Sequence, residues 1–346
     1  MENNDWAQII NHPSDPYINS LLPGASYCSQ YYNPPTMHPS EPNYLWLESG
    51  TNFGITTTGN PFRDHQSTTD HLTTYLNNAG ITWRAYQEDI SGTEVPLFDE
   101  NNYAARHDPF TFFDDVTGTN NPNNAYGIAH IRPYTEFMGD LASNTVAQYN
   151  FITPNLCDDM HNNCAPLYNG QLQGDSWLST EIPKITNSFA YKNNGAIFIT
   201  WDEAGSADGP IGMIVLSPLA KGGGYVSTNH YTHSSTLRTM QEIFGVGPLL
   251  RDAANAQDLS DLFVQPQAIT HYSSLGVRNF FHAPDGSVQF DVEGAIPGKT
   301  HVVQMSTDLV NWSNVCTNTP STNSFYISDP SAIGASQRFY RVMQMP

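Results

Sequence analysis

Apolar residues follow two periodicities along the first three quarters of the chain. The segment STLRTMQEIFGV (235–246) repeats its apolar positions every three to four residues, which predicts an amphipathic helix that ends at Gly245. GAIFITWDE (195–203) and IGMIVLSP (211–218) are continuous apolar runs, typical of strands buried on both faces. The same two patterns predict further helices around 44–48, at 71–78 and at 176–191, and further strands after Gly80 and at 149–155. Helices that alternate with strands indicate an α/β fold, with helices on both sides of a mainly parallel sheet.

The last 80 or so residues have a different pattern of apolar and polar positions. VQFDVEG, THVVQMSTD and RFYRVMQM alternate apolar and polar positions and are separated by Gly, Pro and Asn turns. We therefore predict two domains, 1–265 and a small C-terminal β-sandwich at 266–346. This tail resembles C-terminal β domains attached to exported enzymes of environmental bacteria. The resemblance says little about its role, and contact with a surface or a polysaccharide stays open.

Charge limits the partners that the chain can have. Its 346 residues include 13 Lys plus Arg and 33 Asp plus Glu, a formal net charge of −20. Nucleic acids and anionic lipid surfaces would be repelled over most of the chain. Any phosphate that the protein handles must be met locally, by a metal ion or by directed N–H groups. No stretch approaches the ~20 apolar residues of a membrane span, so we expect no integral membrane association.

Cys157 and Cys164 lie seven positions apart in CDDMHNNC. This spacing can close a small disulfide loop, and it can equally provide two thiolate ligands. The composition resembles that of exported proteins, which favours the disulfide. The sequence assigns no partner to Cys28 or to Cys316.

Ser40 lies where an irregular loop meets a predicted helix, in TMHPSEPNY. Backbone N–H groups and the positive end of a helix favour a phosphate oxyanion there. An isolated serine in this position more often only caps the helix, so the chemical interpretation depends on the other motifs.

Asp202 and Glu203 end the apolar run GAIFITWDE. Active sites gather at the carboxyl ends of strands in open α/β sheets, and two adjacent carboxylates suit a divalent cation. The ordinary alternative is a solvated acidic pair that opens a loop, but so apolar a strand favours the metal.

Further carboxylate and imidazole groups follow other predicted strands or precede the last helix: Asp158, Asp159 and His161 in PNLCDDMHNNC, and His230 and His233 in NHYTHSS. Such donors suit a metal site or a phosphate pocket. Any one of these histidines alone is more often a surface or hydrogen-bonded residue. The argument therefore depends on their order along the chain.

That order resembles the bacterial and fungal phosphoesterase family that includes acid phosphatases and phospholipases C, within the alkaline phosphatase superfamily. The motifs that carry the resemblance over residues 1–250 are Glu2-Asn3, HPSEPNY, CDDMH, TWDE and YTHSSTLRT. The nucleophile of these relatives stands two residues before a proline and ten before a glycine, a frame that Ser40, Pro42 and Gly50 match. The resemblance implies a three-layer α/β/α alkaline-phosphatase-like domain.

The resemblance also implies roles for individual residues. Ser40 corresponds to the nucleophile, and the ligands of one divalent metal correspond to Glu2, Asn3, Asp202 and Glu203. His161, with Asp159 or Asp158, and His233 correspond to residues that hold a second metal in two-metal relatives, or that contact phosphate and protonate the leaving group in acid phosphatases. His38 and His107 match positions near the pocket, which implies a catalytic role for His38 and substrate binding for His107, and we add Lys221 as a helper for phosphate binding.

Relatives have an apolar strand directly before the Glu-Asn pair, whereas this chain begins at Met1. We therefore expect a truncated chain that lacks this strand and an export signal, and a secreted or periplasmic protein.

Together these features predict a metal-dependent phosphomonoesterase that forms a phosphoseryl intermediate on Ser40. Oxygen-rich ligands are compatible with Mg, Ca or Mn, and imidazole admits Zn. Two alternatives stay open: a phospholipase C-type phosphodiesterase, and a catalytically silent protein that binds a surface through its tail. A serine esterase would need a G-x-S-x-G elbow, which does not surround Ser40.

Overall fold

The computed structural model describes residues 1–205, 208–264, 275–335 and 337–345. The chain divides into two compact units, Met1–Val264 and Gln265–Pro346. No described helix has the length and apolar character needed to cross a membrane.

The first unit combines short and long helices with short strands. Its described helices are α1 (Trp6–Ile9), α2 (Pro16–Leu21), α3 (Ser40–Ser49), α4 (Pro61–Asp64), α5 (Leu72–Asn78), α6 (Asp114–Thr117), α7 (Ala125–His130), α8 (Phe137–Ser143), α9 (Gly170–Asn187), α10 (Phe189–Lys192) and α11 (His233–Phe244). Its described strands are β1 (Ser26–Cys28), β2 (Tyr31–Tyr32), β3 (Trp83–Gln87), β4 (Ile131–Pro133), β5 (Tyr149–Thr153), β6 (Ile197–Thr200), β7 (Met213–Leu216), β8 (Tyr225–Ser227) and β9 (Tyr231–Thr232).

These strands form three groups. One sheet has the order β4-β3-β5 and is parallel throughout. A second has the order β6-β7-β1-β8, in which only the β1–β8 pairing is parallel, and β2 pairs in parallel with β9. The expected α/β class with parallel pairing is confirmed, although β7 runs antiparallel to both of its neighbours.

The β4-β3-β5 sheet is covered on both faces because side chains alternate along a strand. Trp83 and Ala85 of β3 pack into a core that contains residues of α3, α5 and α11, such as Leu45, Leu72 and Leu237. Tyr86, on the opposite face, packs against residues that include Phe137 and Leu141 of α8. A further core joins β6 and β7 to α1, α2 and α9.

The backbone of the first residues continues the edge of β6. The backbone N of Met1 donates to the carbonyl of Thr200 at 3.1 Å, and the N–H of Asp202 donates to the carbonyl of Met1 at 3.0 Å. This is the hydrogen-bond pattern of parallel pairing. In addition, the N–H of Glu2 donates to the carbonyl of Asp159 at 2.7 Å, which fixes Glu2 between two loops.

Antiparallel strands build the second unit: β10 (Gly276–His282), β11 (Val288–Glu293), β12 (His301–Ser306), β13 (Ser313–Asn318), β14 (Ser324–Asp329) and β15 (Phe339–Gln344). They form two sheets of order β10-β11-β14 and β13-β12-β15. Phe290 of β11, Val303 of β12 and Ile327 of β14 belong to one hydrophobic core.

Most predicted elements are present, with shifted bounds. The helix expected around 44–48 spans Ser40–Ser49, and the one expected at 176–191 begins at Gly170 and ends at Asn187. The first 60 residues contain β1, which pairs with both β7 and β8 and which the pattern did not indicate. The Cys157–Cys164 disulfide is present, whereas Cys28 and Cys316 are free thiols.

His71 links three helices of the first unit from a fully buried position. Its Nδ1 lies 2.9 Å from Oε1 of Glu48 in α3, and its Nε2 lies 2.9 Å from Oδ1 of Asp115 in α6. Burial alone would lower the pKa of His71, but the hydrogen bonds to Asp115 and Glu48 and their charges raise it to about 9. The imidazolium is therefore favoured in the folded state.

A raised histidine pKa stabilises the fold fully below the unfolded value near 6.5, and this contribution is lost as the pH rises through about 9. We expect the advantage of the wild type over His71→Gln in free energy of unfolding to shrink by up to about 3 kcal/mol between pH 6 and pH 9.5. Urea unfolding at both pH values measures this. A difference between the two proteins that does not change with pH would contradict it.

Gly50 and Gly245 each end a helix in the left-handed conformation, with φ of 72° and 65°. A Cβ at Gly50 would lie 2.7 Å from the carbonyl oxygen of Leu250, whereas a Cβ at Gly245 would have no neighbour within 4 Å. We expect Gly245→Ala to cost about 1 kcal/mol of stability, from backbone strain alone, and Gly50→Ala at least about twice that. Urea unfolding of both variants checks this, and equal losses would show that the contact with Leu250 is unimportant.

Candidate active site

Ser40 is the first residue of α3 and is buried. Pro39 precedes it in extended conformation, and Gly50 ends the helix, so Ser40 occupies the positive end of a ten-residue helix. Its Oγ donates a hydrogen bond to Oε2 of Glu2 at 3.1 Å. The serine and the first predicted metal ligand, 38 positions apart in the chain, are thus in direct contact.

Glu2 lies at the centre of a group of buried polar side chains. Tyr44, one helical turn after Ser40, donates its hydroxyl to Oε1 of Glu2. Oε2 of Glu2 lies 3.5 Å from Nε2 of His107. The Tyr44 ring stacks on the His107 ring with centroids 5.2 Å apart and an interplanar angle of 14°. One face of α3 therefore orients both Glu2 and His107.

The loop after β5 contributes the next residues. Oδ2 of Asp159 lies 3.2 Å from Nδ1 of His107, and Oδ1 of Asp159 accepts the backbone N–H of His161 at 2.8 Å. One ligand atom from each of Glu2, His107 and His161 lies within 4.8 Å of the others, close enough to hold one metal ion. This set unites two residues that the sequence assigned to different roles, because His107 was expected to bind substrate.

Asp202 and Glu203 follow β6 and are buried. Oδ1 of Asp202 accepts the backbone N–H of Asn3 at 3.1 Å, and Nδ2 of Asn43 in α3 lies 3.4 Å from Oε2 of Glu203. The predicted Glu-Asn pair and the predicted Asp-Glu pair therefore meet beside the helix that carries Ser40.

Four carboxylates, each at most 6% exposed, share this volume: Glu2, Asp159, Asp202 and Glu203. Burial raises the pKa of each, and the charges of Asp202 and Asp159 add to the rise for Glu2. Burial also holds the pKa of His107 well below its usual range, so that this imidazole is neutral. The charge of the Met1 amino group lowers the pKa of Glu2, Asp159 and Asp202 but does not offset the rise, so the cluster is short of positive charge.

Several buried polar atoms at the same place form no hydrogen bond among the described residues: Asn3 Oδ1, Asn43 Oδ1, His107 Nε2, Asp159 Oδ2 and Asp202 Oδ2. The contacts given above for His107 Nε2 and Asp159 Oδ2 lack hydrogen-bond geometry. Such atoms normally find a partner, because an unpaired buried polar group costs about 1–3 kcal/mol. Oxygen and imidazole donors of this type are the ligands of divalent metals. The residues present therefore fit a bound cation.

Three of the predicted residues have other contacts. His233 is buried; its Nε2 lies 2.6 Å from the carbonyl of Asp202, and the hydroxyl of Tyr31 lies 3.1 Å from its Nδ1. Protein groups thus engage both ring nitrogens, and burial lowers the pKa of His233 to about 4. This arrangement suits a neutral residue that positions Asp202 better than one that protonates a leaving group.

His38 and Lys221 are the other two. His38 is exposed, and its Nε2 lies 3.0 Å from Oδ1 of Asp208. Nζ of Lys221 lies 2.9 Å from Oδ1 of Asp261 and 3.8 Å from the centroid of the Tyr225 ring. The contacts of Lys221 within the described ranges do not reach the Ser40 group, so the geometry does not support the expected role in phosphate binding.

Sequence reasoning missed two residues of the group, Tyr44 and Asn43. Both follow Ser40 in HPSEPNY, at positions where α3 presents them to the same side. A helical projection from Ser40 places Tyr44 one turn further on the same face, a signal that the sequence contains.

Comparison of the sequence with known proteins identifies phosphatases as relatives. The model of the Phosphoesterase family matches residues 11–247. A phosphatidylinositol-3-phosphatase from Mycobacterium tuberculosis is 29% identical over 263 residues, which cover 76% of this chain and 80% of that protein. An acid phosphatase from Aspergillus fumigatus is 27% identical over 225 residues, 62% of this chain and 47% of that protein. The chain thus spans about half the length of the fungal enzyme.

A solved protein of the alkaline phosphatase superfamily from Vibrio parahaemolyticus covers 92% of this chain and 81% of its own, with a TM-score of 0.49 and 9% identity. A likeness of this strength adds no evidence on function. The family match covers most of the chain and includes Ser40, His107, Asp159, His161, Asp202 and Glu203. The chain therefore belongs to the Phosphoesterase family and is a hydrolase that acts on phosphoric ester bonds.

Proposed function

We propose that this protein is a metal-dependent phosphatase of the acid phosphatase type, which hydrolyses phosphate monoesters through a phosphoseryl intermediate on Ser40. The observation that carries the proposal is the position of the buried Ser40 hydroxyl, which lies at the start of α3 and 3.1 Å from Oε2 of Glu2. Beside it are buried oxygen and nitrogen atoms that have no hydrogen-bond partner among the described residues and could ligate a metal. A phosphoryl group needs a nucleophile, helix N–H groups and positive charge in one place.

The chemistry proceeds in two displacements. Oγ of Ser40 gives its proton to Oε2 of Glu2, which accepts its hydrogen bond, and attacks phosphorus; the bond between this oxygen and phosphorus forms, the bond to the ester oxygen breaks, and the leaving oxygen takes up a proton. His161 is the proposed proton donor, because it is half-buried and Nδ1 lies 2.9 Å from the side-chain oxygen of Asn162, which leaves Nε2 for the substrate. Water then gives a proton to His161 and displaces Ser40 from phosphorus, the Ser40 oxygen regains the proton held by Glu2, and inorganic phosphate leaves.

The residues that we propose as ligands of a divalent cation are Glu2, Asn3, Asp202, Glu203 and Asp159, together with His107, whose Nε2 lies 3.5 Å from Oε2 of Glu2. When bound, the cation would neutralise the carboxylates and polarise the phosphoryl oxygens. Mg, Ca and Mn suit the oxygen donors, and the imidazoles admit Zn.

Monoesters are favoured over phospholipid diesters because the net charge of −20 opposes anionic membranes. The first test below distinguishes a phosphomonoesterase from a phospholipase C and from a silent binding protein.

We further propose that the first unit is a three-layer alkaline-phosphatase-like domain, that the second is a small β-sandwich, and that the protein is exported. The Cys157–Cys164 disulfide supports export, because disulfides persist in oxidising compartments.

Ser40→Ala should lower kcat for p-nitrophenyl phosphate by at least about 10³-fold, because it removes the oxygen that forms the proposed covalent intermediate. The matched control is Ser49→Ala, at the other end of α3, whose buried hydroxyl donates to the carbonyl of Leu45. We expect the control to retain activity within a few fold.

Both variants should bind Mn²⁺ like the wild type in calorimetric titration, because neither loses a proposed ligand. Faster hydrolysis of p-nitrophenyl phosphorylcholine than of the monoester would favour the phospholipase alternative. Full activity of Ser40→Ala would exclude the phosphoseryl route, and inactivity of a folded, Mn²⁺-binding wild type on both esters would favour the silent binding protein.

Tyr44→Phe removes the donor to Glu2 but keeps the ring that stacks on His107. We expect it to weaken Mn²⁺ binding about 10- to 100-fold, because groups that orient metal ligands act at this scale. Tyr134→Phe is the matched control, since this buried hydroxyl donates to Oε2 of Glu181 at 2.9 Å, outside the site. Equal Mn²⁺ affinity in the two variants would show that Tyr44 does not position Glu2.

A further inference from the structure

The second unit carries a cavity of its own, of about 350 Å³, which we call the aromatic pocket. It is lined by Val277, Phe280, Leu309, Trp312, Arg338, Phe339 and Tyr340. All of these residues belong to the second unit, and none takes part in the Ser40 group. We propose that the aromatic pocket binds a segment of an uncharged polysaccharide chain, an activity separate from ester hydrolysis.

The aromatic side chains of the pocket are held in place before any ligand binds. Phe280 is 49% exposed, yet its ring stacks on the buried Phe290 with centroids 5.6 Å apart and an interplanar angle of 11°. Tyr340 packs against both rings, at 5.7 and 5.0 Å. A rigid, half-exposed ring offers a flat apolar surface at little cost in conformational entropy. The C–H faces of pyranose rings pack on surfaces of this kind.

The turn at 308–312 is equally well fixed. Oδ1 of Asp308 accepts the backbone N–H groups of Val310 and Asn311 at 2.9 and 2.7 Å, and Nε1 of Trp312 donates to the carbonyl of Leu309 at 3.2 Å. The guanidinium of Arg341 lies over the Trp312 ring, 4.1 Å from its centroid. Leu309 and Trp312 are therefore presented on a rigid turn.

Charge favours an uncharged ligand. The single charged residue in the lining, Arg338, is paired, because its Nη1 lies 2.8 Å from Oδ2 of Asp329. The sequence from 265 to 346 has four basic and five acidic residues, whereas the whole chain carries −20. The described lining thus offers no unpaired cation to an acidic polymer, Arg341 lies beside it over the Trp312 ring, and the acidic remainder of the chain would repel such a polymer.

Size and rim favour a carbohydrate over a protein partner. A concave site of about 350 Å³ lies within the ~300–1,000 Å³ range of small-ligand sites, whereas a stable protein interface needs a surface of ~800 Å² on each side. Exposed neutral polar residues adjoin the lining in the chain: Asn311, Ser313 and Gln337. Such groups can exchange hydrogen bonds with sugar hydroxyls.

The test is retardation of the full chain in native gels that contain hydroxyethyl cellulose, laminarin or galactomannan, with carboxymethyl cellulose as the charged comparison. We expect retardation by at least one neutral polymer and none by the charged one. Phe280→Ala should weaken this binding at least tenfold. Its control is Phe281→Ala, since Phe281 is 48% exposed and adjacent but does not line the pocket.

A second variant, Leu309→Asn, keeps the test valid if Phe280→Ala fails to fold. Leu309 has φ of 61°, a conformation that asparagine tolerates better than leucine, so the fold should be kept while an apolar contact is lost. We expect several-fold weaker binding by Leu309→Asn at an unchanged melting temperature. All three variants should hydrolyse p-nitrophenyl phosphate like the wild type, which separates this proposal from the one on phosphatase activity.

Three outcomes would overturn the proposal. The first is no retardation by any neutral polymer, and the second is equal retardation of Phe280→Ala and Phe281→Ala. The third is concentration-dependent self-association of the wild type that Phe280→Ala abolishes, which would assign the aromatic pocket to a second copy of the chain.

Discussion

The candidate active site of the first unit is shaped by one constraint, the burial of four carboxylates around the Ser40 hydroxyl. Removing a charged carboxylate from water costs several kcal/mol, and placing Glu2 near Asp159 and Asp202 adds repulsion to this cost. A bound cation would therefore lower the electrostatic free energy of this group of carboxylates. In the proposed reaction the same positive charge would also attract the anionic phosphate toward Ser40.

The scaffold assembles this group from distant segments, each held by main-chain hydrogen bonds. Glu2 is fixed by its N–H to the carbonyl of Asp159, and Asp202 by its N–H to the carbonyl of Met1. The helix α3 then contributes Ser40, Asn43 and Tyr44 from one side. Four backbone segments thus determine the positions of the side chains, which is the condition for a preorganised site.

The cavity of the second unit differs from the candidate active site in charge and polarity. Its cavity is lined by aromatic and aliphatic side chains, and its one guanidinium is neutralised by Asp329. The strong acidity of the chain therefore lies almost entirely in the first unit, because residues 265–346 carry nearly balanced charges. A charged, polar reaction site and a neutral, apolar pocket on separate units can act on chemically different targets.

Local sequence determined much of this protein. The apolar runs at 195–203 and 211–218 specified β6 and β7, because continuous burial requires continuous apolarity, and Gly245 specified the end of α11. The order of motifs around Ser40, Asp159 and Asp202 indicated the family and the main residues of the site. Tertiary structure alone decided the rest. Whether His107 meets Glu2, whether His233 is engaged by Tyr31, and whether Lys221 pairs with Asp261 depend on contacts across many positions of the chain. No local pattern encodes such contacts, because they arise only when separate elements pack together.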